Sequence, residues 1–375
     1  MNGILLVNKP KGITSHDVVA KVRKVLKMKA VGHAGTLDPM AEGLLIIMLG
    51  EATKFSSYIM GQDKHYVADV QLGLQTDSWD AEGEKVEPEA EVGSLINSSL
   101  NSSQNPTSNP IALKIDFTKQ EILNAIQNLV GPLKLEVPIY SAVKIKGQKL
   151  YDYARKGQSV QTPIREMNFY SAELLDTNNE DYKFNNEIIK TLHLKVDLKC
   201  EKGSYIRSWV HQLGKNLGSG AIMSGLVRHQ SGNYLLKDAL DYSLLIEAHF
   251  QMNLELNNDK QKLNNTSVTS LEMNQKGSSA KSYSELLENI TSYIKDIKDS
   301  ISGPFYRVFD HEIRLLKNGQ IPKDLNLRIR HLVKECQFKN ESKLVRIFDS
   351  KLVQLIAVLE INPDTQPKIL RAFNN

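Results

Sequence analysis

The stretch Gly32-His33-Ala34-Gly35-Thr36-Leu37-Asp38-Pro39 decides how the rest of the chain is read. It is a glycine-rich loop that ends on a carboxylate. Pro39 pushes Asp38 away from helical φ/ψ towards an extended backbone, and such a loop can present a carboxylate into a cleft. By itself the run permits a plainer reading, a turn aspartate that bonds its own backbone or caps a helix. The neighbouring sequence has to decide between them.

Upstream, Gly3 to Val7 reads as a short buried strand and Asn8-Lys9-Pro10-Lys11-Gly12 as a turn. A helix follows. Thr14 or Ser15 can cap it, and Val18, Val19, Val22, Val25 and Leu26 recur at helical spacing. Residues 9–29 carry seven Lys and Arg against a single Asp, Asp17. A basic helix face is often simply solvated; beside a loop that presents a carboxylate it suits the phosphates of a nucleic acid. Residues 30–43 read as loop, Leu44 to Leu49 as a buried strand or helix start, and Tyr66 to Leu74 as a strand. Asp77, Asp80 and Glu82 miss the spacing of a calcium loop and read as a hairpin turn.

At 375 residues the chain suggests two domains and extras. Its 41% hydrophobic content allows a sizeable core, and its net charge of +4 means that an anionic partner must be met by local patches. The only cysteines, Cys200 and Cys336, form no C-x-x-C pair, which argues against a disulfide framework or cysteine zinc site. No apolar run is long enough for a bilayer, and the start MNGILLVNKP has no cationic leader. The expectation is a cytoplasmic protein.

Residues 94–110 hold six Ser and four Asn, a low-complexity insertion whose wider limits are 92–116. Thr118 and Glu121 then form a capping-box pattern, with Gly131 suited to the helix end. Residues 247–303 read as a low-complexity linker containing one possible helix over 284–301. From 304 to 375 the chain turns strand-rich, with thirteen Lys and Arg against eight Asp and Glu.

Several separated motifs now matter together. They are Asn8-Lys9-Pro10-x-Gly12-x-Thr14-Ser15, the 32–39 loop with Gly43-Leu44-Leu45, Lys64-x-Tyr66, Gly73-x-x-Thr76-Asp77-x-x-Asp80, Pro138-x-Tyr140-Ser141-Ala142-x-Lys144, and Cys200-x-Lys202-Gly203-x-Tyr205-Ile206-Arg207. In this order, over about 1–246, the chain resembles the bacterial TruB family of tRNA pseudouridine synthases. The tail resembles that family's PUA-like domain at Leu316-Lys317-Asn318-Gly319 and Val345 to Phe348.

The resemblance implies an α+β fold: a catalytic domain with a mixed, largely antiparallel sheet over 1–246, and a small β-rich PUA-like domain over 304–375. It implies isomerisation of uridine to pseudouridine at position 55 of the tRNA T-loop, after the base is flipped out. Asp38 matches the catalytic aspartate, Arg207 the arginine paired with it, and Tyr66 the active-site tyrosine. His33, Tyr205, Leu226, Lys9 and Lys64 match substrate-binding positions. Arg228 falls in a Leu-Arg-Arg segment whose middle position is here Val227, which leaves its role open. No metal or cofactor is implied. The expected partner is the T-stem-loop of tRNA, met by a monomer without an obligate protein partner or a membrane. A non-catalytic RNA-binding module would not need Asp38, Tyr66 and Arg207 together. A dyskerin-type synthase working inside a guide-RNA particle fits the tail less well.

Overall fold

The computed structural model describes residues 1–86, 115–264, 281–300, 304–335, 343–352, 354–361 and 366–373. The Asn/Ser-rich insertion and Cys336 lie outside them. Continuous apolar runs at 4–7 and 44–49 and apolar alternation at 64–70 and 192–200 build most of the chain into one eleven-stranded mixed sheet. Its strands include β1 (Gly3–Lys9), β2 (Val31–Ala34), β3 (Glu42–Leu49), β4 (Lys64–Leu72), β5 (Gly131–Glu136), β6 (Ile164–Phe184), β7 (Glu187–Cys200), β8 (Ala221–Ser231), β9 (Leu240–Asp241) and β10 (Ile294–Asp296). The spine runs β9-β1-β3-β8-β4-β7-β6-β5, with β2 on β3 and β10 on β1. Only the β1–β9 and β3–β8 pairs in this set are parallel.

The β3–β8 pair sits at the middle of the sheet. It sets Arg228 beside Gly43, while the antiparallel β8–β4 ladder sets the same Arg228 beside Tyr66. Gly43 has φ +98°, and a Cβ there would lie 2.6 Å from the Arg228 carbonyl oxygen. Glycine is required at that approach.

One face of the sheet is packed by α1 (Ser15–Val25), α2 (Lys119–Gln127) and α3 (Ile206–Leu217) around Val18, Val22, Ile122, Trp209 and Leu213. Thr14 caps α1 and Thr118 caps α2, each in a complete capping box. Ser15, the other capping candidate, is buried and turns towards Leu37 instead. The span read as loop contains β2, which exists as a strand because β3 offers it four paired positions, Val31↔Leu49 to Ala34↔Ile46. Gly131 does not end α2: it opens β5, at φ +102°, after the helix has stopped at Gln127.

The expected linker at 247–303 needs correcting in its described parts. Helix α4 (Tyr242–Asn264) packs on α1, helix α5 (Tyr283–Ser292) packs on α4, and β10 extends the central sheet at β1. The apolar positions Leu286 and Ile290 that suggested one long helix join the main core, and the helix ends at Ser292. α4 and α5 also engage part of the basic face of α1. Lys21 Nζ lies 3.0 Å from His249 Nδ1, and the Lys27 ammonium sits over the Tyr283 ring.

Beyond 304 a four-stranded sheet, β11 (Phe305–Arg307), β12 (Lys343–Phe348), β13 (Leu355–Ile361) and β14 (Lys368–Ala372), pairs in that order. It carries helices α6 (Asp310–Lys317) and α7 (Lys323–Glu335). Val308, Leu316, Leu325, Ile329, Val345 and Ile356 form its own core. A second cluster joins it to the main body: Leu344, Phe348, Val358 and Phe373 pack with Ile4, Leu44, Ile46 and Phe55. Phe55 and Phe373 stack with ring centroids 6.3 Å apart. Phe55→Ala should therefore cost about 3–5 kcal/mol and open this joint. A lower unfolding midpoint, with the C-terminal sheet released to protease first, is the expected result; an unchanged digestion pattern would contradict it.

Candidate active site

The Asp38 loop links β2 to β3, and its backbone is clamped from three directions. Ser15 Oγ accepts from the Leu37 N–H at 2.9 Å and donates to the Leu37 carbonyl at 3.1 Å. The Pro39 carbonyl accepts from the Gly12 N–H at 2.8 Å and from Lys9 Nζ at 3.3 Å. Arg228, 1% exposed, donates to the carbonyls of Leu44 (Nε, 2.7 Å), Gly35 (Nη2, 3.1 Å) and Thr36 (Nη1, 3.5 Å). The Asn8-to-Ser15 motif is thus scaffolding for the aspartate.

Asp38 emerges from this clamp with its side chain 35% exposed, and Arg207 meets it from the first turn of α3, Nε to Oδ2 3.1 Å. Arg207 is 5% exposed and its donors are occupied on several sides. Nη1 faces Asp80 Oδ2 at 3.4 Å and donates to the Ser78 carbonyl at 3.3 Å, while Nη2 donates to the Tyr140 carbonyl at 3.0 Å. A buried guanidinium is costly unless paired and hydrogen-bonded, and two carboxylates and two carbonyls meet that need here. Asp80 is 3% exposed. Burial pushes its carboxyl pKa up, and the Arg207 charge opposes that rise.

Tyr66 is buried on β4, beside Arg228 on β8, and burial raises its phenol pKa, with Arg228 the main opposing influence. Its hydroxyl is therefore a neutral phenol at pH 7. Leu226 is buried on β8 opposite Ala68. Tyr205 is half-buried at the N-cap of α3, immediately before the turn that carries Arg207. His33, on β2, meets the ring of His16 edge-on at 5.2 Å. Burial, and then the neighbouring His16, lower the His33 pKa.

Two of the expected substrate contacts are placed differently. Lys9 is 0% exposed, and its ammonium donates to the carbonyls of Ile13 (2.7 Å), Pro10 (3.0 Å) and Pro39. Burial lowers its pKa to about 8, against the pull of Asp38. Lys64 is buried too, donating to the carbonyls of Met60 (2.6 Å) and Gln62. Both lysines close loops from inside, with their ammonium groups donating to backbone carbonyls. Asp80, read as a hairpin-turn residue, does sit in one: Thr76 bridges Lys85. Its carboxylate has the further task of sharing Arg207. The spacing of its motif carried that signal, and only α3 folding back over the turn reveals its use. Among the described residues no three His, Cys, Asp or Glu side chains gather as a metal set, and no helix is long and apolar enough to cross a membrane.

Residues 23–104 and 97–206 match the TruB family pseudouridylate synthase (N terminal domain). The tRNA pseudouridine synthase B of Bdellovibrio bacteriovorus is 42% identical over 238 residues, 64% of this chain and 66% of that relative. The protein of the same name from Lactobacillus gasseri is 38% identical over 241 residues, 64% of this chain and 72% of the relative. The chain belongs to the TruB family. Two solved structures are similar in fold at lower identity. One is a Cbf5-Nop10-Gar1 complex (TM-score 0.56, 19% identity, 99% of this chain and 85% of that chain). The other is an archaeal box H/ACA sRNP Nop10-Cbf5 complex (TM-score 0.53, 17% identity, 99% of this chain and 86% of that chain).

Arg228→Lys tests the clamp without deleting its charge. A single ammonium cannot reproduce a planar fork shared by three carbonyls, so the rate of the catalysed reaction should fall about 10- to 100-fold. Rate and substrate affinity measured together check this; an unchanged rate would remove Arg228 from the clamp.

Proposed function

We propose that this enzyme isomerises uridine to pseudouridine at position 55 in the T-loop of tRNA, with Asp38 as the catalytic carboxylate. The single observation that carries the reading is the Asp38–Arg207 pair, a partly exposed carboxylate held by a buried arginine at 3.1 Å. The names of the similar proteins supply the substrate, tRNA.

The reaction detaches N1 of uracil from C1′, turns the base and joins C5 to C1′. A base inside a stacked loop cannot bring its glycosidic bond to a protein carboxylate, so the uridine has to leave the stack first. Arg207 fixes the orientation of the Asp38 carboxylate. That carboxylate can add to the base, attack the sugar, or balance positive charge developing at C1′. Tyr66 and Leu226 offer a ring and an apolar wall against the flipped base. As a neutral phenol, Tyr66 supports stacking or hydrogen-bond donation. His33 and Tyr205 flank the loop and the first turn of α3, where the RNA would pass. The enzyme is taken to act as a monomer in the cytoplasm.

Phosphate binding is assigned to the exposed lysines Lys11, Lys24 and Lys29, since Lys9 is buried and Lys21 faces His249.

Asp38→Asn should abolish pseudouridine formation on a T-stem-loop RNA, read as tritium release from C5-labelled uridine with the modified position mapped, while RNA binding stays near wild type. Turnover by that variant would overturn the assignment. Replacing Lys11, Lys24 and Lys29 with Gln should reduce the salt dependence of tRNA binding, by about 0.7–0.9 in log–log slope for each phosphate no longer neutralised. An unaltered slope would mean that these lysines are merely solvated.

A further inference from the structure

The turn that delivers Asp80 to Arg207 holds an unusual residue. Trp79 has φ +62°, a left-handed backbone that costs energy for a bulky L-residue and persists only where the surroundings enforce it. Ser78 and Asp80, on either side of it, are the two residues of this turn that contact Arg207. The kink at Trp79 therefore sets where a carbonyl and a carboxylate meet the guanidinium.

The turn bonds to itself, the Trp79 N–H donating to the Thr76 carbonyl at 3.3 Å and Thr76 Oγ1 to the Asp80 carbonyl at 2.7 Å, and two further sets of contacts reach the kink from outside it. The first is backbone pairing with the start of β8: the Met223 N–H donates to the Trp79 carbonyl at 3.0 Å, and the Ala81 N–H donates to the Met223 carbonyl at 3.0 Å. The second is a ring stack. The Trp79 indole and the His211 imidazole lie face to face, centroids 4.1 Å apart and planes 7° from parallel. His211 follows Arg207 by four residues on α3, so both side chains project from one face of that helix. α3 thus grips the turn twice, one helical turn apart, at the carboxylate and at the ring. His211 is buried, which lowers its pKa to about 3. The stack is one of neutral rings and adds no second cation beside Arg207.

We propose that Trp79 and His211 are a positioning pair, whose ring stack holds the left-handed Ser78–Asp80 turn against α3 and so fixes the Arg207 guanidinium against Asp38. This rests on the reading of the site as a pseudouridine-forming centre. Neither ring touches the reacting atoms. Their effect passes through Arg207, and they act on the rate of conversion rather than on the capture of RNA.

The test compares His211→Phe, which keeps a ring, with His211→Leu and His211→Ala, which do not. Single-turnover pseudouridine formation on a T-stem-loop RNA, equilibrium binding of the same RNA and thermal unfolding are measured for each. His211→Leu and His211→Ala should convert bound RNA about 10- to 100-fold more slowly, with the binding constant near wild type, and His211→Phe should recover most of the rate. His211→Leu keeps apolar bulk, so it serves as the folded comparison should His211→Ala unfold. Equal rates for Leu, Phe and wild type would overturn the proposal, even if the unfolding midpoints differ, because that pattern describes packing alone. Equal losses in Phe and Leu would also overturn it. Wild-type protein inactive on the RNA would instead refute the proposed function, a separate outcome.

Discussion

One buried cation organises this molecule. Arg207 enters from α3, receives Asp38 from the β2–β3 loop, Asp80 and the Ser78 carbonyl from the turn after β4, and the Tyr140 carbonyl from the segment after β5. Taking a guanidinium out of water is unfavourable by several kcal/mol unless its surroundings replace the lost hydration. That constraint obliges segments remote in sequence to converge on one point. Asp38 is held at that point of convergence with its side chain still partly exposed.

The remaining cations near the cleft do different work, which shows how position sorts side chains of similar chemistry. Arg228 and Lys9 are basic side chains like Arg207, yet their donors go to backbone carbonyls of the loop and of its neighbours. They hold the aspartate's backbone, and Arg207 holds its carboxylate. The loop is thereby pinned on both sides of Asp38, at Gly35–Leu37 and at Pro39, while the side chain itself stays partly open to the cleft.

How much of this the sequence could disclose depended on whether the deciding contacts were local. The cap at Thr118 was legible because both partners of its box lie within three residues, whereas the first helix left Thr14 and Ser15 as alternatives, separated only by the turn of Ser15 towards Leu37. Asp38, Tyr66 and Arg207 were legible through the motifs around them. The uses of Lys9, Lys64 and Arg228 were not, since a lysine beside a proline or on a strand reads as an exposed charge until its surroundings close over it. β10 escaped notice for a related reason: three residues, Ile294–Asp296, form a strand only because β1 presents an unfilled edge to them. Low-complexity composition around 247–282 masked the fact that α4, which runs into this stretch, packs on α1 and that α5, just after it, packs on α4.

The clamp on the Asp38 loop also sets an order of events in biosynthesis. Gly35 and the arginine that holds its carbonyl are 193 positions apart. At ordinary translation rates about 10–40 s separate their synthesis. During that interval the Asn8-to-Ser15 anchors are present, and β3 has no parallel neighbour until β8 emerges. Such long-range pairing closes slowly, because the chain entropy of a large loop is spent before any contact forms. The catalytic loop is written near the beginning of the message and becomes a catalytic loop only when the centre of the sheet is filled. A nascent chain stalled before β8 therefore carries Asp38 and Arg207 but lacks Arg228, which holds the backbone of the aspartate's loop.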